Sequence, residues 1–187
     1  YYPDANIKIL DFNAVMNQVA QRKSDNSEGF EEYLFEDLIK EALSLVDRFA
    51  PEIIGISTLF CSNYQDLKPL TSLLKNIHQK STIICGGHLA SSSYHRMFED
   101  DLDIDAVVFG EGEIPLLELV RAVSSGKKEE YLSSSSCLIT KEKYRPEKGF
   151  APQNKLIEDL EEIPLFDLST LVFPEAYYNS TKYFFQQ

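Results

Sequence analysis

Two short glycine-rich segments hold the residues whose types and spacing could do chemistry, Gly86-Gly87-His88 and Gly110-Glu111-Gly112-Glu113. Each follows an apolar run, Thr82–Cys85 in one case and Ile104–Phe109 in the other. Glycine at such a junction lets backbone come close to a ligand or to a second loop. Glu111 and Glu113 make the second segment a poor phosphate cradle, because carboxylates repel phosphate. General acid–base work would need a partner group at fixed spacing, and the sequence shows none, so no catalytic residue is assigned. The better use of both carboxylates is to accept backbone N–H bonds near the start of the following helix, where negative charge is favoured. His88 is the one histidine in a candidate loop; its imidazole suits a capping or loop hydrogen bond, or less readily a metal. His78 and His95 fall on helical patterns. Asp11 ends the first apolar run, a position that acids occupy in several open-sheet sites.

The surrounding pattern must position these loops. Ile7–Phe12 reads as a strand. Asn13–Gly29 is polar and irregular, with a short helix near Ala14–Gln21. Phe30–Phe49 spaces Tyr33, Leu34, Leu38, Ala42, Leu45, Val46 and Phe49 at three- and four-residue steps, which predicts a helix ended by Pro51. Ile53–Leu59 is nearly continuous apolar sequence and predicts a strand buried on both faces. Helices follow at Asp66–His78, Ser91–Phe98 and Glu113–Val123, alternating with strands at Thr82–Cys85 and Ile104–Phe109. Three successive strand–loop–helix units predict an α/β fold, a Rossmann-like or flavodoxin-like open parallel sheet flanked by helices with right-handed crossovers. Ligands of such sheets sit beyond the carboxyl ends of the strands. The crossings there are Ser57–Asn63, Gly86–Ser92 and Gly110–Glu113. The reading places the α/β domain at residues 1–126. Residues 127–187 form a small β-containing extension, with a hairpin or meander turning near Lys141 and Gly149. Phe173–Phe185 is aromatic-rich and must pack on this domain, a second copy or a further domain.

Bulk properties narrow the partners. The 187 residues are 43% hydrophobic, enough for a sizeable core in one domain with a tail. A net charge of −12 argues against nucleic acid and against anionic membranes, both polyanions. Cys61, Cys85 and Cys137 lie far apart, form no CxxC pair and show no metal-ligand spacing. They read as free thiols in a reduced, cytoplasmic setting. No apolar stretch reaches membrane-spanning length.

Taken in order, the motifs resemble a known family. Pro51-Glu52-Ile53-Ile54-Gly55-Ile56-Ser57 is similar to the strand of cobalamin-binding domains that precede radical SAM catalytic domains. Ile83-Ile84-Cys85-Gly86-Gly87-His88-Leu89-Ala90 resembles that family's Gly-Gly strand end, with no residue between the glycines and the histidine. Ile104–Glu113 resembles its strand leading into GEGE. Ile157-Glu158-Asp159-Leu160-Glu161-Glu162-Ile163-Pro164 is similar to its segment leading toward the radical SAM domain. The resemblance covers roughly residues 5–165. It implies cobalamin over the strand ends, with Ser57, Thr58 and Leu59 on one side, Gly86, Gly87 and His88 in the middle, and Gly110, Glu111 and Gly112 on the far side.

Three departures qualify what the resemblance implies. Family members usually carry a strand and helix ahead of the strand matched by Ile7–Phe12, so the usual first strand of the sheet is lacking. The close-spaced cysteines of a radical SAM cluster are absent, which puts S-adenosylmethionine and the 4Fe–4S cluster in a downstream domain. The DxHxxG motif that supplies an axial histidine is also absent, so no cobalt ligand is named. The implied function is a corrinoid-positioning domain whose partner is that downstream domain, with self-association through the aromatic segment or the incomplete sheet as a further expectation. The alternatives are an interaction or regulatory domain that kept the fold without the cofactor, and a flavodoxin-like module for another cofactor.

Overall fold

The computed structural model of the protein describes residues 5–15, 35–58, 64–144, 149–175 and 177, with backbone only for 35–39. Ala50–Ile163 forms one compact unit, and the described parts of Asp4–Phe49 and Pro164–Gln187 form another.

The first unit is built on a four-stranded sheet in the order β1-β2-β3-β4. Its strands are β1 (Ile53–Ser57), β2 (Thr82–Gly86), β3 (Ala106–Val108) and β4 (Leu138–Ile139). β1, β2 and β3 run parallel, and β4 is antiparallel to β3. Helices α2 (Tyr64–Ile77) and α3 (His88–Glu99) make the two parallel crossovers. Helices α4 (Glu113–Ser124) and α5 (Lys128–Ser134) connect β3 to β4. α1 (Phe35–Phe49) belongs to the other unit and ends before Pro51, as the spacing predicts.

Alternation along the strands sorts the core into two layers. Cys85, Val107 and Ile139 point to one face, where Leu67 of α2 and Leu89, Met97 and Phe98 of α3 cover them. Ile84, Ala106, Val108 and Leu138 point to the other, against Leu119 of α4 and Leu132 of α5. The continuous apolar runs of β2 and β3 are therefore buried on both sides, as a sheet with helices on each face requires.

The structure differs from the sequence reading in four places. β1 forms, but it is half-buried, with Gly55 and Ser57 exposed. It is the edge of the sheet, and no described strand lies on its outer side. Ile7–Phe12 makes no continuous strand. Ile9 alone bridges Leu171 in parallel, through Ile9 N–H to Thr170 O (2.7 Å) and Val172 N–H to Ile9 O (3.0 Å), and helical backbone already begins at Phe12. In the hairpin or meander expected after Cys137, Leu138–Ile139 pairs with β3 instead, and residues 145–148 of that segment lie outside the described residues. The sequence reading divides the chain at 126/127, whereas α5 and β4 lie in the same unit as the sheet. Most of Asn13–Gly29, together with Cys61, Tyr178, Tyr183, Phe184 and Phe185, lies outside the described residues.

The amino ends of the strands are closed by polar contacts. Asp105 accepts the Ile83 N–H at 2.7 Å and an ion pair from Lys75 at 2.9 Å. Ser81 donates to Pro51 O at 2.6 Å.

Core and edge predict opposite responses to substitution. Leu119 is fully buried, so Leu119→Ala is expected to cost about 2–5 kcal/mol through lost transfer energy and a cavity. A Cβ at Gly55 would meet nothing within 4 Å, so Gly55→Ala is expected to be neutral or to stabilise by up to about 1 kcal/mol through reduced unfolded-state entropy. Urea titrations of both variants measure the contrast.

Candidate functional site

Strand register decides which loops meet. Ser57 pairs with Gly86 across β1 and β2, and Cys85 with Val107 across β2 and β3. The three parallel strands thus end together, and the loops after them share one edge. β4, running the other way, begins at that edge.

Thr58 ties the first loop to the second. Its N–H donates to Gly86 O at 2.8 Å, and its hydroxyl donates to the same oxygen at 2.9 Å. Its own carbonyl accepts the Leu89 N–H at 3.2 Å. Thr58 is buried, so its side chain serves this knot. Gly87 makes the knot feasible: its φ is +94°, and a Cβ there would lie 2.5 Å from Thr58 O. Leu59 lies outside the described residues. Ser57 and His88 are exposed at the edge, and His88 opens α3. The N-cap of α3 is Gly87, which has no side chain to cap the helix.

The third loop is held differently from the sequence expectation. Gly110 has φ +73° and donates its N–H to Ser91 Oγ at 3.0 Å. A side chain at Gly110 would overlap Asn154. Asn154 Oδ1 accepts the Glu111 N–H at 2.9 Å, and Glu111 Oε2 accepts the Ile157 N–H at 3.0 Å. Glu111 therefore binds a later strap, Gln153–Ile157, rather than the start of α4. The strap is also held by Gln153 N–H to Ser136 O (3.0 Å) and Lys155 Nζ to Glu118 (2.5 Å). Burial pushes the Glu118 carboxyl up, but hydrogen bonds from Lys155 and Tyr131 outweigh it and hold the group below its usual range. Glu113 is exposed in the first turn of α4, whose N-cap is Gly112, again without a side-chain cap.

The four loop glycines fall into two kinds. Gly87 and Gly110 have left-handed φ and a neighbour that excludes a side chain. Gly86 and Gly112 do not: a Cβ at Gly86 would meet only Val108 at ordinary contact (3.7 Å), and at Gly112 only Val108 at 3.9 Å. Among the described residues, nothing at either position is closer than ordinary contact. Beside the strap, Glu118, Tyr131, Cys137 and Lys155 line a cavity of about 330 Å³ whose polar groups pair with one another.

A family model described as the B12 binding domain matches residues 6–120. The chain belongs to the B12-binding domain family. This B12-binding domain is 32% identical over 137 residues to an uncharacterized methyltransferase of Pyrococcus horikoshii, covering 72% of this chain and 27% of that protein. It is 26% identical over 141 residues to an anaerobic magnesium-protoporphyrin IX monomethyl ester cyclase of Rubrivivax gelatinosus, covering 74% of this chain and 22% of that protein. The chain thus spans 27% and 22% of the lengths of these curated relatives. No solved structure matches it. Among the described residues there is no cluster of metal-ligating side chains and no helix long and apolar enough to cross a membrane.

The residues present fit a corrinoid. Its ring is broad and carries amide side chains, which need exposed backbone, small residues and hydroxyls rather than a charged pocket. The edge offers exposed Ser57, two glycines without close neighbours among the described residues, and two helix starts without side-chain caps, where Leu89 N–H bonds Thr58 O and Pro115 has no N–H. Ser91, Asn154 and Lys155 were missed in the sequence reading. Only Asn154 carried a local hint, as a side-chain acceptor just ahead of the Ile157–Pro164 motif.

Two tests follow from this geometry. Gly87→Ala must place a side chain at φ +94° against Thr58 O, so it is expected to destabilise by at least about 1 kcal/mol, read as a lower urea midpoint. Cys85 is fully buried and burial pushes its thiol up to about 12. Iodoacetamide at pH 8 is therefore expected to leave Cys85 unlabelled in the folded protein and to label it after denaturation, as peptide mass mapping would show.

Proposed function

We propose that this chain is the cobalamin-binding domain of a radical SAM enzyme and that it holds the corrinoid over the carboxyl edge of the sheet. The observation that carries the reading is the coincidence of the family match with that edge: residues 6–120 include all three loops, and Gly86 and Gly112 lack side chains where the fold does not require it. When bound, cobalamin supplies cobalt-centred chemistry. The chain's own residues bind and orient. Gly86 and Gly112 admit the ring to the backbone, Ser57 and the first-turn amides of His88, Glu113 and Ile114 bond its amides, and Thr58 and Gly87 fix the loops that present them.

S-adenosylmethionine and the iron–sulfur cluster belong, on this reading, to a downstream domain. The relatives are several times longer than this chain. The strap leads straight into Leu160–Glu162, a 3-10 turn, where Leu160 is 74% exposed among four acids, Glu158, Asp159, Glu161 and Glu162. An apolar side chain displayed in this way suits burial against a further domain. The same feature favours a second reading, an interaction domain that kept the fold without the cofactor.

Hydroxocobalamin separates the two. Protein mixed with it and desalted is expected to retain a near-stoichiometric corrinoid spectrum. Gly86→Val and Gly112→Val are expected to fold but to bind about tenfold more weakly, a loss of about 1.4 kcal/mol. Wild type that elutes free of corrinoid would overturn the binding reading. Unchanged affinity in both valine variants would overturn the placement of the ring.

A further inference from the structure

In the Gly110–Gly112 loop Glu111 is exposed and the two glycines are half-buried, and a ligand edge needs the loop in one conformation. Ser91 Oγ holds its first residue through the Gly110 N–H, and Glu111 is held by residues more than 40 positions later in the chain. Asn154 Oδ1 accepts the Glu111 N–H at 2.9 Å, and the Glu111 carboxylate accepts the Ile157 N–H at 3.0 Å. The two bonds are reciprocal: the loop gives a backbone donor to the strap's side chain, and the strap gives a backbone donor to the loop's side chain. Gly110 supports the fit, since any side chain there would overlap Asn154. At its first residue and at its middle the strap is anchored to the sheet unit independently of the loop. Gln153 N–H bonds Ser136 O just before β4, and Lys155 pairs with Glu118 on α4. The strap then runs within three residues into the exposed Leu160 turn.

We propose that Glu111 and Asn154 are positioning residues that couple the Gln153–Ile157 strap to the ligand edge, so that a docked strap and a bound corrinoid favour each other. The inference rests on the corrinoid-binding reading above. A loop held by the strap presents its glycines in the binding conformation. A released strap lets Gly110–Gly112 sample others, and the ligand must then spend binding energy to reorder them. Coupling of this kind is reciprocal: whatever factor the strap adds to corrinoid affinity, the corrinoid adds to strap docking. Through the strap, the position of the Leu160 turn reports on the occupancy of the edge.

Hydrogen exchange on the whole chain, with and without hydroxocobalamin, tests this. In wild type the corrinoid is expected to slow exchange at the Glu111 and Ile157 amides by about fivefold or more, the lower range for coupled sites. Two variants break the latch from the strap side without altering a residue of the edge. Asn154→Ala removes the acceptor for Glu111 N–H, and Ile157→Pro removes the donor to the Glu111 carboxylate. Each is expected to weaken hydroxocobalamin by about the same factor by which it speeds exchange across the remaining latch amides. Glu111→Gln keeps a side-chain acceptor but loses its charge, and is expected to weaken binding and latch protection less than either strap variant. If wild type binds corrinoid but the strap amides exchange at an unchanged rate, and both strap variants bind normally, the coupling is wrong while the binding reading stands. If wild type retains no corrinoid, both fall.

Discussion

One carbonyl oxygen organises the candidate site. Gly86 O accepts two hydrogen bonds from Thr58, one from its amide and one from its hydroxyl. The Thr58 carbonyl in turn accepts the Leu89 amide from the first turn of α3. A strand end, the loop of its neighbour and a helix start are thereby joined through one buried threonine. Gly87 is the steric condition for this, because a Cβ there would collide with the Thr58 carbonyl. The burial of Thr58 matters as well. Its hydroxyl is out of water and must be satisfied inside the protein, and its one proton is committed to Gly86 O.

The two ends of the sheet solve different problems. At the amino ends, Asp105 receives both the Ile83 amide and Lys75. Charge is used there to close the structure, at half-exposed side chains where such a pair contributes modestly. At the carboxyl ends, closure is by backbone and small residues, and the charged groups of the loops are turned to structural use or out to solvent. A flat ligand could not lie against a rim of long side chains. The same rim built from glycine, serine and helix-start amides offers donors without bulk.

Much of this was legible in the sequence, for reasons that can be named. β2 and β3 are short apolar runs buried on both faces, so composition alone marks them, and glycines follow both because tight turns need them. The ligand edge follows from the order of strand, loop and helix, since parallel strands must all end on the same side. β1 misled because its composition is that of a central strand while its position is at the edge; periodicity reports the faces of a strand and says nothing of its neighbours. Ile7–Phe12 misled similarly: an apolar run of strand length found only the single bridge to Leu171. Leu138–Ile139 was read as part of a local hairpin because antiparallel pairing is usually local, but its partner is β3. The strap was invisible for a plainer reason. Hydrogen bonds between Glu111 and Ile157 or Asn154 join residues with no shared period or motif, and single-sequence patterns carry no signal at that separation.

The strap also explains why carboxylates in this loop are compatible with a neutral, amide-rich ligand. An unpaired glutamate beside the edge would hold its own hydration shell there, and displacing that water would oppose binding. Glu111 instead directs its carboxylate to the Ile157 amide, in a bond stronger than one between neutral partners because the acceptor is charged. Its backbone amide is satisfied by Asn154. Both polar ends of the residue are committed to the strap, and Gly112 follows with an unfilled Cα. Glu111 thus places its charge on the side of the later chain, and Gly112 faces Val108 at the end of β3. An alternation of glycine and glutamate does this economically, because neighbouring residues in a tight crossing face different surroundings: one must admit another group closely, and the next must hold the crossing in place.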